Sequence, residues 1–408
     1  MGLAGSSKRE DLGMRSYAQC LLGLLLSVCT ANAQEVPGVT EKEIKIGQTM
    51  PYSGPGSHYS TIARANEAYF QMVNDNGGIN GRKIKLISLD DAYSPPKTVE
   101  QTRKLVEQEE VLLIFDTLGT ATNAAIQRYL NAKKVPHLFP TSGATRFADP
   151  DQFPWTMGWQ PNYQLEGHAF ATYILNNRPT AKIAILYQKD DLGKDYIKGL
   201  RDRLGDKADA MIVKELSYNI SDPTIDSQIV TLQSTGADVF MNFATTKFAA
   251  QAMRKAHELN WNPMQMLATV SASAAVLKQV GTNASSGVLA LHYLKDPADP
   301  KLAEDPGFKE WLAWMKKYYP SGDVTDEFNV LGYSNAQTLF QVLKQCGNDL
   351  SRENIMKQAQ NLDMQLPMVL PGIRLKTSAT DYAPMKDLHM ARFTGEGWEL
   401  VGSVISGN

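Results

Sequence analysis

Two successive α/β units, each built on a doubly wound and mainly parallel sheet, are what this chain of 408 residues predicts. Three observations carry that reading. Short apolar strands alternate with helix-length amphipathic segments from residue 44 onward, the rhythm restarts after residue 160, and no Gly/Ser- or Pro-rich tether parts the two runs. The two lobes are therefore expected to pack against each other through chain crossovers rather than hang from a flexible linker.

The elements follow in order. Ile44-Lys45-Ile46-Gly47 alternates as a short strand and runs into the turn-rich Met50-Pro51-Tyr52-Ser53-Gly54-Pro55-Gly56. Apolar residues at helical spacing from Ile62 to Val73 stop at Asn74-Asp75-Asn76-Gly77-Gly78. Ile84 to Leu89 is the second strand, with Asp90-Asp91 at its carboxyl end, and a helix follows from Pro96 to Gln108. Val111–Phe115 and Val135–Phe139 read as strands flanking a helix over Thr122–Leu130. After the restart, helices are predicted over Leu165–Leu175, Tyr196–Leu204 and Lys247–Leu259, and strands over Ile183–Tyr187, Asp238–Asn242 and Met264–Ala268. Beyond Gly287 the pattern blurs: an amphipathic helix over Phe308–Tyr319, a low-charge helix over Ser334–Gln345, then short strands and turns from Met368 to Val404.

The N-terminus carries Lys8, Arg9 and Arg15, then an apolar run from Leu21 to Val28, then the small-x-small triplet Ala31-Asn32-Ala33. That order is a secretory signal peptide, cleaved after Ala33, and its apolar part is too short to span a bilayer. Met14 is an alternative start, and acylation of Cys29 is the competing reading, which the branched Val28 before it fits poorly. Residues 1–33 hold three basic and two acidic side chains, so the formal charge of −2 becomes −3 once they leave, with no basic block to suit nucleic acid. Cys20 and Cys29 leave too, so Cys346 has no disulfide partner and the remaining 375 residues rely on their cores.

Taken together, several segments give the chain a family resemblance. Ile44-Lys45-Ile46-Gly47 leading into Ser53-Gly54-Pro55, the run Asn74 to Arg82, Asp90-Asp91, Pro140-Thr141-Ser142-Gly143-Ala144-Thr145 and Asp190-Asp191-Leu192-Gly193-Lys194-Asp195 occur in an order and at intervals that resemble the type I periplasmic solute-binding proteins of the branched-chain amino acid (Leu/Ile/Val-binding) branch. No single motif is specific; their succession is. The resemblance covers essentially the whole chain after residue 33 and implies two lobes joined by three crossovers, with residues 34–159 plus 291–365 in one and 160–290 plus 366–408 in the other. It also implies a periplasmic monomer that closes about its hinge on a small molecule and delivers it to ABC permease subunits, with no catalysis, cofactor or metal.

Ligands of open α/β sheets bind outside the carboxyl ends of the strands. That rule selects the segments Ser53–Ser60, Leu118–Thr122, Ser142–Thr145, Asp190–Leu192, Ala244–Thr246 and Thr269–Ser271. Thr117 to Thr122 opens a helix with small and hydroxyl residues, whose exposed N–H groups favour an anion, and Ser142-Gly143-Ala144-Thr145 offers a second such end. Ordinary helix capping explains either loop taken alone. The resemblance assigns the ligand carboxylate to both, through Gly119, Thr120, Ser142 and Ala144, with Leu118 and Gly143 as further ligand-binding residues beside them. It places Tyr59 at a pocket-lining position, and Trp159 and Tyr163 fall at the first crossover, where aromatic residues wall a pocket or pack a seam.

One departure bears on the ligand. Amino-acid binders of this branch place an acid after the strand assigned here to Met264–Ala268, to pair with the ligand ammonium; this chain has Val270 there, and Leu192 and Thr245 replace aromatic residues. A buried ammonium without a counter-ion costs several kcal/mol, and Asp191 is the nearby carboxylate available to substitute. The expected ligand is thus a small organic carboxylate, an aromatic acid of the benzoate or phenylpropenoate kind, with a branched-chain or other hydrophobic amino acid as the alternative. A ligand-binding sensor of the same fold is a second class, but it would need a DNA-binding headpiece, a membrane span or an output domain. A hydrolase is a third, but no nucleophile elbow, phosphate loop or zinc motif occurs. The six histidines are scattered singly, with His58 beside Tyr59 a possible ligand contact. Asp90-Asp91 and Asp190-Asp191 each read as one cap and one solvated charge.

Overall fold

The computed structural model describes residues 36–406 together with Met1 and Gly2. The signal peptide and Cys29 lie outside the described residues, as does the alternative start at Met14. Among the described residues no helix is long and apolar enough to cross a membrane.

Two sheets organise the chain. The first contains β1 (Glu43–Met50), β2 (Lys83–Asp90), β3 (Leu113–Phe115), β4 (His137–Leu138) and β5 (Thr156–Met157), in the spatial order β2-β1-β3-β4-β5. All its pairings are parallel, with Ile46 of β1 between Leu86 of β2 and Leu113 of β3. The second contains β6 (Ile183–Gln188), β7 (Ile212–Tyr218), β8 (Val239–Phe243), β9 (Met264–Leu267) and β10 (Leu289–His292). The two-residue strands β11 (Asp363–Met364) and β12 (Leu375–Lys376) pair only with each other, and β13 (Asp387–Phe393) and β14 (Trp398–Ser406) form a hairpin that completes the second sheet, in the order β14-β13-β10-β9-β8-β6-β7. In that sheet the β10–β13 and β13–β14 pairings are antiparallel and the others parallel.

Most predicted elements form within a few residues of their expected limits, and the shifts have local causes. The helix expected from Tyr196 starts at Asp191, because the Asp190 side chain accepts from the Leu192 amide and caps it. The helix expected from Ser334 starts at Glu327, capped in the same way by Asp326. Several elements were not anticipated, among them β5, the Ala274–Val280 and Arg352–Ala359 helices, and three whose cause is local. β7 is an edge strand in which exposed Val213 and Lys214 break the apolar signal, the short Asp226–Gln233 helix has a weak apolar face, and β10 lies where the periodicity fades.

Close backbone contacts fix the layers. The Ser60–Asp75 and Glu327–Gln345 helices cross where a Cβ on Gly332 would lie 2.4 Å from the Ile62 carbonyl, and Asn66 Nδ2 donates to the Gly332 carbonyl at 2.8 Å. The late helices thereby return to the first sheet. In the second lobe the Tyr163–Asn177 and Asp191–Leu204 helices touch at Gly167 and Gly199; a Cβ on Gly199 would sit 2.1 Å from the Gln164 carbonyl oxygen. The chain passes between sheets three times: after β5, after β10, and between the Arg352–Ala359 helix and β13. β10 continues through Leu291 and His292, so the second passage begins after them. The second and third passages run side by side, with Lys295 N donating to Met368 O and Leu370 N to Tyr293 O, both at 2.9 Å.

Candidate functional site

In each sheet the first strand has neighbours that follow it on opposite sides: β1 lies between β2 and β3, and β6 between β7 and β8. The loops after such strands diverge and leave a crevice. A cavity of about 600 Å³ occupies the space where the two crevices face each other.

The first sheet brings a helix start to the cavity, where Gly119 N itself donates to Thr141 O at 3.1 Å. Gly119, with φ +99°, precedes the Thr120–Ala132 helix, and Leu118, Gly119 and Thr120 line the cavity. A Cβ on Gly119 would lie 2.5 Å from Tyr93 Cε2 and 2.7 Å from Thr122 Oγ1, so only glycine brings this helix start to the cavity wall. The first N–H groups of a helix have no intrahelical acceptor, and the dipole there favours negative charge.

Of the other predicted residues, Tyr59, Tyr163, Leu192, Thr245 and Val270 also line the cavity. Tyr163 stacks on Tyr196 with centroids 4.8 Å apart, and Tyr196 stacks in turn on Phe243 at 4.4 Å. Thr245 caps the Thr246–Glu258 helix, and its hydroxyl is 3.2 Å from both the Tyr218 hydroxyl and Gln188 Oε1.

Five predicted residues are not on the wall. Ser142 lies behind it, its hydroxyl 2.7 Å from that of Thr120. Three amides of the loop that was to form a second anion site are already engaged: Ser142 N donates to Pro140 O, Ala144 N to Ser142 Oγ, and Thr145 N to Asp195 Oδ2 across the cleft. Gly143 is packed under Tyr163, whose ring a Cβ would meet at 2.8 Å. Trp159 is buried in the interlobe seam, donating to Thr338 Oγ1 at 2.9 Å. Asp191 pairs with Arg146 at 2.9 Å and with Lys194 at 3.6 Å on the rim, and so is not the substitute acid for a ligand ammonium. His58 also misses the cavity; it packs edge-on against Phe328 and faces a separate groove of about 760 Å³ with Lys247 and Arg254.

Sequence reasoning overlooked half of the wall. Tyr93 follows the β2 carboxyl end, where the strand-end rule reaches it; its backbone is left-handed (φ +59°), and its amide donates to Asp91 Oδ1. Asp91 is fully buried and also accepts from Thr98 Oγ1, whereas Asp90 accepts from Tyr52, Ser53 and Ala92 amides, so neither is simply a solvated charge. Asp190-Asp191 does divide as one cap and one partly exposed ion pair. Thr141, Gln160 and Thr269 come from strand-end or crossover segments, while Tyr293, Leu294, Glu327, Phe328 and Leu331 come from the second passage and the helix after it. No sequence pattern marks that last group.

Glu327 corrects one expectation outright: the cavity does contain a carboxylate. Its Oε1 lies 3.4 Å from His292 Nδ1; burial raises the Glu327 pKa, and the adjacent imidazole opposes that rise. A second buried acid, Glu166, stands behind Thr269, with its pKa raised to about 7 by burial despite bonds from Thr269 and Tyr196.

Further interlobe contacts join those of Thr145 with Asp195 and of Arg146 with Asp191 in holding the cavity shut. The Tyr59 hydroxyl donates to Val270 O at 2.9 Å and accepts from Thr246 N at 3.2 Å, and Ser273 Oγ donates to Asp326 Oδ1 at 3.1 Å. Two such sheets with an enclosed cavity between them define a type I periplasmic binding protein fold. The sequence pattern of the family described as "Periplasmic binding protein" matches residues 43–397, and the chain belongs to that family. It is a periplasmic solute-binding protein and not an enzyme.

The chain is 24% identical over 316 residues to the Leu/Ile/Val-binding protein homolog 1 of Brucella abortus, covering 76% of this chain and 81% of that protein. Among solved structures it is similar to a branched-chain amino acid ABC transporter protein of Thermus thermophilus with bound valine (TM-score 0.80, 14% identity, 90% of this chain and 97% of that one). It is likewise similar to an R. palustris ABC transporter solute-binding protein in complex with benzoate (TM-score 0.76, 20% identity, 89% and 98%).

Proposed function

We propose that the chain is the substrate-binding component of an ABC importer and takes a small carboxylated organic ligand, an aromatic acid, into the interlobe cavity. The observation that carries this reading is the pairing of the Gly119–Thr120 helix start with aromatic walls from Tyr59, Tyr93, Tyr163 and Phe328. The amide ends take the carboxylate and the rings take the apolar body. Residues 1–33 direct export and are removed, and the remaining chain acts as a monomer. Leu118–Thr120 engage the ligand first; the second lobe then closes, because Tyr59 finds its two partners only in the closed form. Permease subunits recognise the closed pair of lobes.

A branched-chain amino acid is the second reading. It is favoured by Glu327, the one carboxylate on the cavity wall among the described residues, and by the Leu/Ile/Val-binding relatives. Calorimetric titration of the purified protein with benzoate, cinnamate, leucine and valine separates the two. Heat from the aromatic acids alone supports the first reading, and heat from leucine or valine alone overturns it.

A further inference from the structure

The polar atoms around the cavity divide into donors and acceptors, and that division constrains the solute beyond its carboxylate. Thr141 and Thr269 line the cavity from the two different lobes. Thr141 Oγ1 donates to Asp116 Oδ1, which also accepts from Asn335 Nδ2 at 2.7 Å. Thr269 Oγ1 lies 2.6 Å from Glu166 Oε2 and 2.8 Å from the Leu291 carbonyl. Glu166 Oε2 also accepts from the Tyr196 hydroxyl and, at 3.3 Å, from the Thr269 amide. In each carboxyl group the oxygen nearest the threonine already accepts from two or more donors. A proton on either acid therefore sits on the other oxygen, Asp116 Oδ2 or Glu166 Oε1, both buried and without partners. Both threonine hydrogens point into the protein, and both hydroxyls present only lone pairs to the cavity.

The third acceptor is Glu327, buried on the cavity wall with His292 behind it at 3.4 Å. His292 is 2% exposed, and its Nε2 has no partner. His292 Nδ1 thus engages Glu327 Oε1 from behind, and the carboxyl is left to accept from the cavity side.

We propose that the solute carries, besides its carboxylate, a hydroxyl group that donates a hydrogen bond to Glu327, making it a hydroxylated aromatic acid. This rests on the carboxylate reading of the cavity given above. A solute lacking that hydroxyl leaves Glu327 with no donor from the cavity side inside the closed cleft, only His292 behind it, which is how an acceptor on a cavity wall rejects an analogue.

The test is calorimetric titration with benzoate and its 3- and 4-hydroxy derivatives, cinnamate and 4-hydroxycinnamate, and leucine. It is run on the unaltered protein and on the Glu327→Leu and Glu327→Gln variants, with circular dichroism to confirm folding. At least one hydroxylated acid is expected to bind tenfold or more tightly than its parent. That preference vanishes in Glu327→Leu and survives in part in Glu327→Gln, which keeps an acceptor oxygen. Equal affinity for hydroxylated and parent acids in the unaltered protein, or an undiminished preference in Glu327→Leu, overturns the proposal and leaves the carboxylate reading standing. If Glu327→Leu does not fold, an undiminished preference in Glu327→Gln overturns it. Binding of leucine and none of the acids overturns both.

Discussion

The hydroxyl of Tyr59, in the first lobe, donates to the main-chain carbonyl of Val270, in the second, across 2.9 Å. Val270 stands where an acid was looked for in the sequence. Its backbone serves as a latch partner while its side chain faces the cavity.

Tyr59→Phe removes this bond and the one from the Thr246 amide while keeping the ring against Phe328, whose centroid is 5.0 Å away. Two neutral hydrogen bonds contribute about 1–3 kcal/mol in total. Ligand affinity measured by calorimetry is expected to fall about 5- to 100-fold with little change in thermal stability when ligand is absent. Unchanged affinity would show that closure does not use the latch.

Gly119→Ala forces a methyl to within 2.5 Å of the Tyr93 ring at a left-handed backbone position. The strain is about 1–3 kcal/mol before any clash is relieved, and relief must move either the helix start or Tyr93. Ligand binding should be lost to calorimetry while circular dichroism still reports a folded α/β protein.

Gly199→Ala tests the helix contact of the second lobe, where the added methyl would meet the Gln164 carbonyl at 2.1 Å. Overpacking of this kind costs about 1–3 kcal/mol. The urea midpoint is expected to fall with the slope unchanged.

Stability should also depend on pH in a defined direction. Burial raises the pKa of Glu166 and of Asp116 to about 7, from ordinary values of 4.5 and 3.8. Between about pH 4 and pH 7 the folded chain therefore binds more protons at these groups than the unfolded chain. Their contribution to unfolding free energy decreases as pH rises through that window. Tyr196 and Thr269 donate to Glu166, and His292 is the titratable neighbour that opposes its shift. The melting temperature of Glu166→Gln, measured from pH 5 to pH 8, should decline less than that of the unaltered protein. Parallel profiles would assign the decline to other groups.

The elements bearing Leu118, Gly119 and Thr120 were legible because strand, turn and helix start are local matters of spacing and residue type. Leu192 and Thr245 were legible for the same reason, since each stands at the carboxyl end of a strand. The Ser142–Thr145 loop offers the same small and hydroxyl residue types as the Gly119 end, and only the fold shows its Ser142, Ala144 and Thr145 amides engaged by Pro140, Ser142 and Asp195, and the Gly119 amide engaged by Thr141. Donor satisfaction depends on partners distant in the chain, as Asp195 is from Thr145.

By itself, then, the amino-acid order determined the alternation of strands and helices, the two lobes and the strand-end loops that face the cleft. These follow from short-range periodicity, capping and turn chemistry. Tertiary structure alone decided which polar atoms remain free in the cavity. It brought Glu327 and His292 together from the second passage and the helix beyond it, spent the hydrogens of Thr141 and Thr269 on buried acids, and sent Asp191 to the rim. The physical reason is that burial and hydrogen-bond pairing are properties of three-dimensional neighbours, and a sequence separation of 35 carries no local signal that His292 and Glu327 will meet.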